Sequence, residues 1–356
     1  MAGLYVHFPF CASKCIYCDF YARVRRDWKV YGEALLRELE DRTAEWKGVP
    51  PTTLYFGGGT PSLLPPALLR EVAAACRTAF GVRDFAEFTV EVNPDDVTPA
   101  FADAIRAMGV NRVSVGVQSF RDDQLRWMRR RHTAAQAEEP FATLRGAGCD
   151  NLSLDLIFGF EGLDDADWSY SVDRALALHP AHISCYQMMG RWADGDDNRC
   201  RRQYTLLQDK LLAAGYEQYE ISNYALPGHA SRHNSAYWSR EPYLGLGAGA
   251  HSFDGDRLRR WNTPDIDAYV TSRPYGTERL SDREVLEEKL MLGLRTVRGL
   301  DLGVLTPDER ALLAQKEPVL ERLSKTGQIC IDDSFWRIPA GELFVSDSII
   351  RELFPD

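Results

Sequence analysis

Cys11, Cys15 and Cys18 stand in the spacing Cys-x3-Cys-x2-Cys directly after residues 4–8, an apolar run that reads as a strand. Soft thiolates hold iron–sulfur clusters, zinc or copper(I) in preference to hard cations. Structural zinc takes four ligands, usually in two pairs. The sequence offers no second pair, and His7 lies too near along the same strand to serve comfortably as a fourth ligand. Three thiolates on one loop suit three corners of a 4Fe-4S cubane and leave the fourth iron open to a small ligand. Zinc, or a cysteine-rich turn without metal, stands as the alternative. The other cysteines (76, 149, 185, 200 and 330) show no disulfide rhythm and read as small hydrophobes or inert thiols of a reducing compartment.

Further polar residues fall where strands should end. Gly57-Gly58-Gly59-Thr60-Pro61 follows a second apolar run, and glycines there let backbone approach a ligand. Taken alone, a plain tight turn explains them. Glu91 closes a third such run, Gln118 ends a fourth and Asp155 lies within a fifth. Each is costly among apolar neighbours unless it is paired or faces a polar pocket. Three on successive strands point to one shared ligand.

The elements that must carry these residues alternate between strand-like and helical patterns. Strands are expected over residues 4–8, 53–56, 88–92, 112–117, 152–158 and 182–187, several apolar on both faces as buried parallel strands are. Helices are expected over 28–46, 66–80, 98–108, 122–146 (with a break), 165–178 and 204–214. Six β–α repeats imply a parallel sheet with right-handed crossovers, either flat or curled into an incomplete barrel. Such folds place their chemistry at the C-terminal ends of the strands. Near residue 225 the pattern changes to shorter strands around a helix at 282–296. The expected division is therefore 1–225 and 226–356.

A chain of 356 residues is long for one core. Its formal net charge of -10 argues against nucleic acid as a partner, despite the short basic run Arg129-Arg130-Arg131. No apolar run reaches the ~20 residues that span a bilayer, and the N-terminus lacks a signal-peptide pattern. A cytoplasmic location is expected.

Tyr5-Val6-His7-x-Pro9-Phe10-Cys11, Gly57-Gly58-Gly59-Thr60-Pro61, Glu91-x-Asn93-Pro94 and Gly116-Val117-Gln118-Ser119-Phe120 together resemble the HemN/HemW branch of the radical SAM superfamily. The likeness spans nearly the whole chain, through Gly293-Leu294-Arg295 to Ser346-Asp347-Ser348-Ile349. It implies an α/β fold, a partial (βα)6 TIM-type barrel with a smaller α+β C-terminal domain. It also implies a 4Fe-4S cluster on Cys11, Cys15 and Cys18, with S-adenosylmethionine (SAM) chelated at the open iron. The positions matching the family's SAM contacts are Tyr5, Gly58, Gly59, Thr60, Glu91, Gln118, Arg130 and Asp155.

A second signature is His233-Asn234-Ser235-Ala236-Tyr237-Trp238. Neutral imidazole can ligate heme iron, and aromatic neighbours suit a flat porphyrin. A histidine satisfied by hydrogen bonds at a domain junction is the plainer reading of these residues alone. The run is similar to the His-Asn-x-x-Tyr-Trp motif of HemW-type heme chaperones, and that resemblance makes His233 a heme ligand. The glycine-rich residues 245–252 read as a turn against the SAM pocket, because no Lys-Ser/Thr follows to make a phosphate loop.

Two activities belong to this branch: oxygen-independent coproporphyrinogen III oxidation and heme delivery. The oxidase pattern continues Cys-x2-Cys-x-Cys, where this chain has Phe20, and carries an N-terminal arm, where this chain has ten residues before Cys11. Both features favour the chaperone, with heme, a heme-acceptor protein and an electron donor as partners; a homodimer is compatible with the sequence. A degenerate scaffold that only binds a partner is disfavoured by the intact cysteines. The chain departs from its branch at Gly159-Phe160-Glu161, where Gly-Leu-Pro is usual. Residues 187–192 and the acidic Asp194-Gly195-Asp196-Asp197 stand where a Glu-Pro-Gly-Thr segment is usual. Both departures fall on the substrate side of the barrel mouth.

Overall fold

Runs rich in aromatic and β-branched residues make strands buried on both faces, and the amphipathic stretches between them cover the sheet. The computed structural model describes residues 2–25, 27–46, 48–332 and 334–355. In it β1 (Gly3–Phe8), β2 (Thr53–Gly58), β3 (Glu87–Val92), β4 (Arg112–Gln118), β5 (Leu152–Phe158) and β6 (His182–Gln187) pair in parallel in chain order. The crossovers are α1 (Trp28–Glu45), α2 (Pro66–Phe80), α3 (Pro99–Ala107), the broken pair α4 (Asp122–Trp127) and α5 (Glu139–Gly146), and α6 (Asp165–Ala177). Next comes α7 (Asp197–Ala213), which starts earlier than its apolar spacing implied. The side chain of Asp196 caps it, accepting from the amides of Asn198 and Arg199.

The sheet continues beyond residue 225. Its antiparallel strands β7 (Glu217–Gln218) and β8 (Asn223–Ala225) finish one edge beside β6. After α8 (Arg232–Trp238), β9 (Tyr243–Leu246) returns to the other edge and pairs in parallel with β1. The antiparallel strands β10 (His251–Phe253), β11 (Leu258–Asn262) and β12 (Tyr275–Arg279) extend that edge, with α9 (Ile266–Thr271) between the last two. The result is one open 12-stranded sheet in which β1 to β6 form a partial barrel, extended in parallel by β9.

The glycine-rich run thus opens as a strand and only then turns, which corrects the sequence expectation. At Gly245 a side chain would strike the backbone of His251. Gly247, at φ 103°, packs against the His7 carbonyl and the Tyr31 hydroxyl. The remaining chain forms α10 (Asp282–Leu294), α11 (Pro307–Ala314), α12 (Glu317–Lys325) and α13 (Ser346–Glu352) around a small sheet. That sheet comprises β13 (Leu300–Asp301), β14 (Cys330–Ile331) and β15 (Phe335–Arg337). Among the described residues no helix is long and apolar enough to cross a membrane.

A buried carboxylate ties α1 to the added strands. Glu38 is fully buried and accepts from the Gly247 amide at 2.8 Å, the Tyr269 hydroxyl at 2.6 Å and Asn262 Nδ2 at 2.7 Å. Arg42 lies 3.6 Å from its other side. Such a charge is tolerated only because every lone pair is used. Glu38→Ala should therefore cost about 3–5 kcal/mol in urea unfolding, with the loss read as a lower midpoint at unchanged slope.

Candidate cofactor site

The cysteine loop leaves β1 through a narrow neck. The Arg23 amide donates to the Pro9 carbonyl at 2.8 Å, and the Cys11 amide donates to the Arg23 carbonyl at 3.1 Å. Nε2–H of His7 donates to the Tyr21 carbonyl at 2.8 Å, which leaves Nδ1 to accept from the Tyr5 hydroxyl at 3.0 Å. Burial lowers the His7 pKa to about 4, so the ring stays neutral in this role. The second strand end presses on the same neck. The Gly59 amide donates to the Phe8 carbonyl at 2.9 Å. A Cβ at Gly59 would lie 2.6 Å from the Phe10 carbonyl oxygen, and one at Gly58, with φ 106°, would lie 2.5 Å from the His7 ring.

The three sulfurs line a common cavity of about 500 Å³ at the C-terminal ends of the parallel strands. Thr60 Oγ1 donates to Cys11 Sγ at 3.5 Å, and Asn93 Nδ2 donates to Thr60 Oγ1 at 3.3 Å. Arg130 completes the chain: Nη2 donates to Asn93 Oδ1 at 2.6 Å and to the Gly116 carbonyl, while Nη1 lies 3.7 Å from Cys15 Sγ. Burial pushes the Cys18 thiol up to about 11 and moves Cys11 in the same direction, so metal must displace protons when thiolates bind. Among the described residues no three His, Cys, Asp or Glu side chains converge on a point that would hold a single ion. Three thiolates from one loop on this cavity fit a cluster, in which each thiolate reaches its own iron.

Gly58, Gly59, Thr60, Glu91, Gln118, Arg130 and Asp155 line this cavity with the cysteines. Glu91 accepts from the Tyr55 hydroxyl at 2.7 Å and the Gly58 amide at 3.2 Å. Burial, aided by Asp155, pushes its pKa up to about 7. Asp155 is raised as well, chiefly by burial, although the Ser114 hydroxyl lies 3.2 Å from each of its oxygens. Gln118 occupies the left-handed region at φ 72°, beside a break in the β4–β5 register, and this turns its side chain out of the strand pattern.

Tyr5 does not line the cavity with the others. It faces an adjoining cavity of about 870 Å³, together with His233. His233 is 1% exposed, and both ring nitrogens are engaged, Nδ1 with Thr53 Oγ1 and Nε2 with the Tyr237 hydroxyl, each at 2.8 Å. Its ring stacks on Tyr55 with centroids 5.0 Å apart. Burial, with Arg112 nearby, lowers its pKa to about 3. The helix that carries it starts on Glu87, whose carboxylate accepts from the Ser231 hydroxyl and the Arg232 and His233 amides at 3.1, 2.8 and 2.9 Å.

Comparison with known proteins now adds to this geometry. Residues 5–175 match the model of the radical SAM superfamily, and residues 280–345 match that of the HemN C-terminal domain. The chain is 36% identical to the heme chaperone HemW of Synechocystis over 83% of its own length and 78% of the relative's. It is 34% identical to that of Bacillus subtilis, over 84% and 85%. The chain belongs to the HemW family of radical SAM proteins. The structure of Escherichia coli coproporphyrinogen III oxidase (HemN) superposes with a TM-score of 0.83 at 22% identity, covering 99% of this chain and 90% of that one. That likeness shows the shared fold.

Within this HemW-family frame, sequence reasoning passed over Asn93, Tyr55, Arg112 and Glu87 as site residues. Asn93 had a local signal, a polar residue before Pro94 at a strand end. Arg112 is 2% exposed, touches the first cavity, and has an Nε without a partner. Phe20 is 67% exposed where the two cavities meet. The unusual segment after β6 also borders the site, through Met188 and Met189. It is well anchored: Trp192 and Phe160 both pack on Trp127, and the Asp194 amide donates to the Gly159 carbonyl at 2.8 Å. Its acidic stretch is structural, since Asp194 pairs with Arg199 at 2.5 Å.

Gly59→Ala tests the neck directly. Overpacking against backbone costs about 1–3 kcal/mol, and the cysteine loop must shift to relieve it. The expected result is a folded protein by circular dichroism with clearly reduced iron and sulfide content after anaerobic reconstitution.

Proposed function

We propose that this protein binds heme in the cytoplasm and hands it to acceptor proteins, on a scaffold that also holds a 4Fe-4S cluster and SAM. The observation that carries the reading is the match over more than four-fifths of the chain to relatives named heme chaperones. Phe20, in place of a further cysteine, supports it against the oxidase alternative. In this reading residues 1–225 form the radical SAM core and 226–356 the HemN-like C-terminal domain, although the two share a sheet. An external protein would supply electrons.

Cys11, Cys15 and Cys18 would hold the cluster, which supplies an open iron and an electron. Around it, Gly58, Gly59 and Thr60 offer close backbone and a hydroxyl. Glu91 and Asp155 meet positive charge, and Gln118 and Arg130 meet carboxylate or ribose oxygens. Tyr5 acts one step removed, by fixing the tautomer of His7 at the neck. His233, as folded, forms the wall between the cavities with Tyr55. Ligating iron with it would require the Tyr237 hydrogen bond to open.

Anaerobically purified protein should bind heme stoichiometrically while leaving coproporphyrinogen III unconverted. Formation of protoporphyrinogen in the same preparation would replace the chaperone reading with the oxidase one. SAM affinity supplies a second check. Glu91 is charged above about 7 and neutral below it, so attraction for the cationic groups of SAM is complete on the alkaline side. The Kd should rise as pH falls through 7, by up to about tenfold per unit. Glu91→Gln should bind weakly and show a flat profile between pH 6 and 8; an unchanged profile would remove Glu91 from the SAM site.

A further inference from the structure

We propose that the second cavity receives the heme and that His251 supplies the nitrogen bound to its iron, an assignment that rests on the chaperone reading above. Axial ligation needs an unprotonated ring nitrogen whose lone pair faces open space. Three histidines line this cavity: His7, His233 and His251. The first two are buried, and each has both nitrogens committed to hydrogen bonds. His251, at the start of β10, is exposed. Its ring lies nearly parallel to that of Trp261, at 21° with centroids 6.0 Å apart. Among the described residues no hydrogen bond or ion pair holds its nitrogens.

The surroundings of His251 suit the ligand. Desolvation by the cavity walls beside the exposed ring, and then the charge of Arg259, move its pKa down and so favour the neutral imidazole. Tyr237, Tyr243, Phe253 and Trp261 give the cavity flat aromatic faces. Its volume of about 870 Å³ falls within the roughly 300–1,000 Å³ of small-molecule sites. Arg240 and Arg259 also line it, and both pair with the single carboxylate of Glu288. A heme propionate can therefore draw on a guanidinium without leaving a buried carboxylate unpaired. The other acids of the wall, Asp19, Glu91 and Glu241, leave that pair of arginines as its cationic part. On binding, the His251 lone pair forms the Fe–N bond and displaces the water or chloride carried by hemin; the iron keeps its oxidation state.

The test is a titration of full-length protein with hemin, followed by absorbance and by electron paramagnetic resonance, for the wild type, His251→Ala, His251→Met and His233→Ala. His251→Ala should raise the Kd about tenfold or more and lose the bands of histidine-ligated heme. Added imidazole should restore them, and His251→Met should bind with shifted bands. His251→Ala with unchanged affinity and spectrum would overturn the assignment while leaving the chaperone reading in place. So would His233→Ala that folds normally by circular dichroism yet alone loses the histidine bands. Wild-type protein that takes up no heme would overturn the chaperone reading itself, and this assignment with it.

Discussion

Two stretches of backbone, residues 8–10 and 57–59, run against each other with no side chain between them. The Gly59 amide uses that proximity to donate to Phe8 at 2.9 Å, and the ring of His7 fills the space beside Gly58. Everything at the site depends on this approach. It sets where the cysteine loop leaves the sheet, and so where Cys11 meets Thr60. It also brings Gly58 close enough to donate to Glu91 on the next strand. The parallel register of β1 with β2, which puts His7 beside Gly57 and Phe8 beside Gly58, makes it possible.

The cavity that results is unusual in its charges. Glu91 on β3 and Asp155 on β5 stand on either side of β4, and both are pushed toward the protonated form by burial. Arg112 and Arg130 are buried near them, each with an Nε that has no partner. An apolar core would not retain such a set, since unpaired buried charge is costly. A ligand carrying both signs of charge resolves it, satisfying carboxylates with one end and guanidiniums with the other. Arg130 has a second effect, because it couples Cys15 to Asn93 and through Thr60 to Cys11. The ligand side and the sulfur side of the cavity therefore share a single side chain.

Much of this was legible in the sequence, for identifiable reasons. The six strand–helix units carry long apolar runs whose periodicity survives any tertiary context, and their bounds fall close to those observed. Spacing narrowed the chemistry of the cysteines to a soft metal site, because three soft ligands on one loop have few uses, and the family resemblance pointed to the cluster. Glu91, Gln118 and Asp155 stood out as polar residues in apolar strands. Of the added strands, β11 was legible in the run 257–261, whereas β9, β10 and β12 were harder, being short and dependent on pairing that reaches back to β1. Glu87 was invisible because its partners lie 144 to 146 residues away. His233 was legible as a motif, and the plainer reading of its residues, a histidine satisfied by hydrogen bonds, is the ring observed.

The position of β1 also bears on how the chain is made. One edge of this strand is covered by residues 53–58, but the other waits for residues 243–246. During synthesis β1 must persist half-paired until residues 243–246 have been made, with one edge open to misassembly. The neck of the cysteine loop shares that delay, since Gly247 packs on the His7 carbonyl only after β9 has docked. The neck that positions the three cysteines is therefore complete only once residues 243–247 are in place.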